Sequence, residues 1–182
     1  MYLWKATFLT CLLAAITVAA AGCQHMPRAE VKDYDTFQLI NLGEVWYTAP
    51  EGLPVIERGR GYVVHSVDAI PGAHLRIEAD PSPPRSLRVD AGTHKRRFVS
   101  EVAVLASSSV QYSDRKDREI VKVIARSRLD DPNARFGSMM LIRKDRTTAI
   151  VKVWGPLAKR TEMNNLIERM SRHIQFGELD LL

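Results

Sequence analysis

The chain has 182 residues, 46% of them hydrophobic and 26% charged, with 26 Lys and Arg against 21 Asp and Glu for a net charge of +5. A polypeptide near this length buries roughly 70% of its unfolded surface, enough for one domain without disulfides. The mild basic excess favours anionic surfaces such as phospholipid, lipopolysaccharide or peptidoglycan carboxylates, and falls well short of a nucleic-acid footprint.

The first 22 residues have the layout of an export signal: Lys5 supplies the positive start, Ala6 to Ala20 the apolar stretch, and small residues lead up to Cys23. An apolar run of this length is marginal for a bilayer span, which needs about 20 helical residues, so cleavage is expected. The run Ala20-Ala21-Gly22-Cys23, followed by the polar Gln24-His25, resembles a bacterial lipobox, with Ala20 where that family most often has Leu. The resemblance implies that Cys23 is diacylated on sulfur and becomes the new N-terminus. Two or three acyl chains would make membrane attachment effectively permanent. Ala19-Ala20-Ala21 also satisfies an ordinary small-x-small cleavage site, which would release a soluble protein starting at Gly22, and a retained anchor is the third alternative. Gln24 stands where enteric lipoproteins kept in the inner membrane commonly have Asp, which favours the outer membrane, facing the periplasm.

With Cys11 lost in the signal and Cys23 acylated, the exported part has no thiol left for a disulfide, a zinc site or a nucleophile. Without Lys5, the net charge becomes 25 − 21 = +4.

Residues 23–36 read as lipidated N-terminus and tether, being polar, interrupted by Pro27 and without a sustained period. Residues 37–182 then form one α+β domain. Strands are expected at Phe37 to Leu42, Glu44 to Thr48, Gly61 to Val67 and His74 to Ala79, the last alternating with one covered and one wet face. Pro81-Ser82-Pro83-Pro84 must be a loop.

From Thr93 the period lengthens. Phe98, Val99, Val102, Leu105 and Ala106 make a helical stripe with Thr93 as its N-cap, while the β-branched Val99, Val102 and Val104 would also suit a strand. Lys95, Arg96 and Arg97 would then lie in the first turn, where cations oppose the helix dipole, so either they form an ordinary solvent-screened face or an anion offsets them, and a bound anion at this start is the sharpest ligand idea in the chain. Three strands follow: Glu119 to Arg128, Gly137 to Arg143 and Thr147 to Trp154. Their short links, Asp130-Asp131-Pro132-Asn133 and Lys144-Asp145-Arg146, predict an antiparallel meander. Asp130 and Asp131 read as turn chemistry rather than acid-base groups or calcium ligands. After Gly155-Pro156, Met163, Leu166, Ile167, Met170 and Ile174 mark the apolar face of a C-terminal amphipathic helix that Phe176-Gly177 stops.

The expected fold class is therefore α+β, mainly antiparallel sheet with one or two packed helices. This order of elements, with Val151-Lys152-Val153-Trp154-Gly155-Pro156 leading into the last helix, resembles the Mog1/PsbP/DcrB group of α-β-α domains over about Phe37 to Phe176. That resemblance implies a binding or assembly factor.

No Gly-x-Ser-x-Gly, His-Glu-x-x-His, P-loop or Gly-x-Gly-x-x-Gly motif is present. Gly59-Arg60-Gly61 is too short to cradle a phosphate, and His25, His65, His74, His94 and His173 show no metal-ligand spacing. No catalytic residue, metal or cofactor is expected. The function expected is that of a membrane-anchored envelope lipoprotein, held by acyl chains on Cys23, that binds an envelope protein partner and no nucleic acid. The alternatives are an enzyme acting on envelope polymers and a carrier of a lipid-like ligand. A deep polar pocket with convergent acids or histidines would favour the enzyme, an exposed apolar strip beside a sheet edge the partner. Oligomeric state is not readable.

Overall fold

The computed structural model describes residues 26–80, 85–101, 107–115, 117–127, 133–177 and 179. Among them, eleven strands form two antiparallel sheets, and two α-helices pack on the larger. The first hairpin joins β1 (Glu30–Asp33) to β2 (Phe37–Asn41), and β3 (Val45–Pro50) follows through Gly43, whose φ of 98° suits a residue without a side chain. A second hairpin links β4 (Val55–Gly59) to β5 (Tyr62–Ser66) through Arg60-Gly61, and β6 (His74–Asp80) pairs with β5.

Helix α1 (Leu87–Glu101) leads to β7 (Ser107–Arg115), β8 (Arg118–Arg126), β9 (Arg135–Lys144) and β10 (Thr147–Pro156). Asp145, at φ 53°, turns the chain tightly from β9 into β10, a conformation that Asp tolerates better than most residues. A short 3-10 turn at Leu157–Lys159 opens α2 (Arg160–His173), and β11 (Gln175–Phe176) closes the chain against β3. The smaller sheet runs β1-β2-β3-β11, the larger β4-β5-β6-β10-β9-β8-β7.

Strand alternation divides the larger sheet into two faces. Leu75, Ile77, Met140, Ile142, Val151 and Val153 face α2 and the small sheet, where Met163, Leu166, Ile167, Met170 and Ile174 are all buried. Those five are the stripe expected from the sequence. Gly155 permits the close fit: a Cβ there would lie 2.9 Å from Ala73 Cα and 3.0 Å from Met163 Sδ. On the other face, Val121, Val123, Met139, Leu141 and Ile150 form a second core under Phe98, Ala91 and Leu87 of α1. The α+β class, the β8-β9-β10 meander and the terminal helix stand as expected.

Three local expectations give way. The stretch expected as tether holds β1, because Val31 packs against the larger core and Ala29, at 4% exposure, is sewn to β4 by its N–H to Gly59 O at 3.0 Å. Helix α1 begins six residues before Thr93: the Ser86 hydroxyl accepts from Val89 N–H, while Thr93 sits inside the helix and its hydroxyl donates to Val89 O. The helix's described part runs to Glu101, and by Ser107 the chain is in strand β7. Finally, the expected wet face of β6 is partly covered by α1, which buries Glu78 to 8% exposure. Val102, Leu105, Ala106, the loop 81–84 and Asp130-Asp131-Pro132 lie outside the described residues.

Candidate functional site

Two concave regions carry chemistry, at different places on the larger sheet. The first lies between α1 and β5-β6, a cleft of about 200 Å³ lined by Arg60, Tyr62, Arg76, Glu78, His94 and Arg97. Cross-strand register builds it: Arg76 pairs with Lys152 and Glu78 with Ile150, so residues of one parity share the α1 face.

Glu78 is the hub. Its Oε1 meets Lys152 Nζ at 3.0 Å and its Oε2 accepts from Arg76 Nε at 2.7 Å. Lys152, 1% exposed, also reaches Glu101 Oε2 at 3.5 Å, and Glu101 takes Arg97 Nε at 2.8 Å. Arg76 stacks over the Tyr62 ring at 4.1 Å, and Tyr62 donates to Glu57 at 2.7 Å. His94 Nε2 lies 3.0 Å from Asp80 Oδ2. Burial pushes the Glu78 carboxyl up, but Lys152 and Arg76 outweigh that and hold it below its ordinary value. A carboxyl displaced that way is poorly matched to acid-base work near neutrality. Apart from Arg60, the charges named here are instead engaged with one another.

Below the same helix, Arg143 is 6% exposed and donates from Nε to Thr148 Oγ1 at 2.9 Å and from Nη1 to Arg85 O at 2.6 Å, while Nη2 pairs with Asp90. That fork fixes the first turn of α1 to the sheet. Asp90 also complements the helix dipole there.

Sequence reasoning placed Lys95, Arg96 and Arg97 at a helix start, and the geometry places them in the second half of α1. Arg97 is spoken for by Glu101, and the first N–H groups of the helix lie two to three turns away, near Leu87. The anion site expected at a helix start therefore loses its basis. Cys23 and His25 lie outside the described residues. His65 is buried; its Nδ1–H donates to Leu53 O at 2.7 Å, leaving Nε2 to accept from Tyr47 Oη–H, also at 2.7 Å. Among the described residues, no group of three His, Cys, Asp or Glu is placed to hold a metal, and no helix is long and apolar enough to cross a membrane.

The second region is a groove where the two sheets diverge. The Arg28–Arg60 bridge, Ala29 N–H to Gly59 O and Gly61 N–H to Pro27 O, at 3.0 Å each, join the start of the chain to the β4-β5 turn. Away from that seam, β1 pairs with β2 and β4 with β5, and each is the end strand of its sheet. They flank a cleft of about 410 Å³ lined by Val31, Asp33, Gln38, Val55, Ile56, Glu57 and Arg58. It continues into a concavity of about 240 Å³ at the β1-β2 tip, where the Tyr34 and Phe37 rings stack at 4.8 Å. Ile56 is 54% exposed and Tyr34 49%. The sequence reading missed this region because it took residues up to 36 as tether and left β4 unassigned; the valines and isoleucines at 31, 55 and 56 were the available signal.

No protein-family profile matches the chain, and no curated protein matches it in sequence. A solved structure does match in fold: the 1.9 Å crystal structure of Mog1p from Saccharomyces cerevisiae, a Ran-binding protein, is similar with a TM-score of 0.53 over 83% of this chain and 96% of that one, at 11% identity. This is likeness of fold, and it agrees with the Mog1-like arrangement expected from the order of elements.

Proposed function

We propose that this chain is a bacterial envelope lipoprotein, acylated on Cys23, whose α+β domain serves as a non-enzymatic binding or assembly factor for a protein complex at the membrane face, most simply the periplasmic face of an outer membrane. The observation that carries the reading is the seam at Pro27 to Ala29, which makes the fold begin four residues after the cysteine. Four residues of fully extended chain reach at most about 14 Å. A domain so tied would work on the membrane surface. Two further points support binding over catalysis: the internally paired charges of the α1 cleft, and the exposed apolar residues Ile56, Tyr34 and Phe37 beside unpaired sheet edges. The Mog1-like fold also supports it, since the yeast protein of that fold is a Ran-binding protein.

Intact-mass analysis of the protein from bacterial membranes tests the anchor. The expected product starts at Cys23 and carries two or three acyl chains, and Cys23→Ser shifts the domain out of the membrane fraction. A native product starting at Gly22 or Met1, with no hydrocarbon added, refutes the proposal. Crosslinking in cells followed by pull-down from solubilised membranes then tests for the envelope partner.

A further inference from the structure

We infer that the groove between β1 and β4 is a docking slot for an extended, cationic polypeptide segment, which adds as a strand to the free edge of β4. This rests on the binding reading above and names the partner's chemistry; it is independent of the acyl anchor. Strand addition needs exposed main-chain donors and acceptors along an edge, and side-chain pockets beside it. Both walls supply the edge, because β1 and β4 are terminal strands of their sheets and border one cleft. Edge strands are ordinarily blunted by charge, proline or cover. β4 carries part of that blunting, in the bulge at Val55 to Glu57, the charges of Glu57 and Arg58, and the hydrogen bond of Gly59 O to Ala29 N–H, yet Ile56 within the bulge is left 54% exposed.

The groove also holds an unmet hydrogen-bond acceptor. Gln38 donates from Nε2 to Asp33 Oδ1 at 2.7 Å, and its buried Oε1 accepts from no described residue. Leaving such an atom unsatisfied is unfavourable, and it marks imperfect packing behind the groove wall.

Charge decides which segment fits. The protein as a whole is basic, yet the concavity at the β1-β2 tip contains Asp33, Asp35, Glu51 and Asp68 and no Lys, Arg or His. Among the described residues none of these four acids makes an ion pair, in contrast to the paired acids of the α1 cleft. An incoming Lys or Arg would meet them beside the Tyr34-Phe37 stack, and its alternate apolar residues would meet Ile56 and Val55.

The test uses the full chain, purified in detergent, and a fluorescent nine-residue peptide alternating Lys or Arg with Val or Phe. Binding is measured by anisotropy at low salt. The expected result is saturable binding that falls by about tenfold or more in Ile56→Lys and in Asp35→Lys/Glu51→Lys, and that weakens with added salt. Glu119→Lys, near the other end of the larger sheet, leaves it unchanged. Methylating alternate peptide amides, which removes strand donors but no charge, should cost at least as much. No binding, equal binding of the Glu-containing counterpart, or indifference to amide methylation overturns the inference. So does self-association of the chain that Ile56→Lys abolishes, because the occupant would then be a second copy. Cys23→Ser separates the two proposals: it should release the domain from membranes and leave peptide affinity intact.

Discussion

Removal of Lys152 is the most direct probe of the ion cluster that joins α1 to the sheet. Lys152→Met keeps most of the side chain's hydrocarbon and deletes the ammonium, so Glu78, with a side chain 11% exposed, faces Arg76 alone. Leaving a buried charge wholly uncompensated costs about 3–5 kcal/mol. Arg76 at 2.7 Å still supplies roughly half of the compensation, so the expected loss is about 2 kcal/mol. For a domain of this size that corresponds to a Tm lower by about 4–8 °C. Guanidinium unfolding followed by Trp46 and Trp154 fluorescence reads the change. The double variant Lys152→Met/Glu78→Gln removes the stranded carboxylate and should recover at least about 1 kcal/mol of the loss. The acid limb should change as well. In the native protein Glu78 titrates below its ordinary 4.5, so its contribution is present above that pH and is lost as pH falls through the lower native value. Without Lys152 that acid loss shrinks. A neutral single variant, or a double variant whose cost equals the sum of the singles, would refute the claim that these groups are coupled.

Arg143→Met should strand Asp90 and the Arg85 carbonyl and cost about 3–5 kcal/mol, with hydrogen exchange accelerated first in α1 and β9. Exchange that rises uniformly would place the loss in the whole fold instead of the α1 attachment. His65 gives a pH signature: burial pushes its imidazole below the ordinary 6.5, outweighing the hydrogen bond to Leu53 O. The native state therefore resists a proton that the unfolded chain accepts. Its stabilisation is complete above pH 6.5 and declines below it, by up to about 1.4 kcal/mol per pH unit until the native value is reached. Urea midpoints at pH 7.5 and 5.5 should differ more for the native protein than for His65→Gln; an equal difference would assign the acid sensitivity elsewhere.

What the sequence made legible follows from range. The α2 stripe and the meander of β8, β9 and β10 were readable because each is settled by neighbours a few residues apart: Met163 to Ile174 by helical period, Asp145 by a tight turn. The start of α1 was misplaced because Thr93 and Ser86 are both acceptable caps in isolation, and the choice is reinforced by Arg143, 53 residues from Asp90. Lys152 carries no sequence mark of burial. It lies among valines on β10, and only the approach of Glu78 and Glu101 makes its position tolerable. Strand β1 escaped for the same reason: Glu-Val-Lys-Asp has little strand propensity, and its pairing with β2 and the seam to β4 hold it.

The two proposals meet in the direction of β1. The strand leaves the Pro27-Ala29 seam and ends at the Tyr34-Phe37 tip, about seven residues on, so at about 3.3 Å per residue the acidic concavity lies some 20 Å along the chain from the anchored end. At the seam end three exposed arginines, Arg28, Arg58 and Arg60, outnumber the exposed acids Glu30 and Glu57 and suit anionic headgroups; the tip exposes Asp33, Asp35, Glu51 and Asp68, which a negatively charged leaflet would repel. An acyl chain on Cys23 would thus hold the basic end down and turn the slot outward, toward a partner that brings its own positive charge. The same charge separation gives the free domain an orientation on vesicles even without the anchor. Anionic vesicles should protect Arg28 and Arg60 from arginine-directed labelling and leave carbodiimide labelling of Glu51 unchanged, and protection of Glu51 as well would mean that the tip, not the seam, meets the membrane.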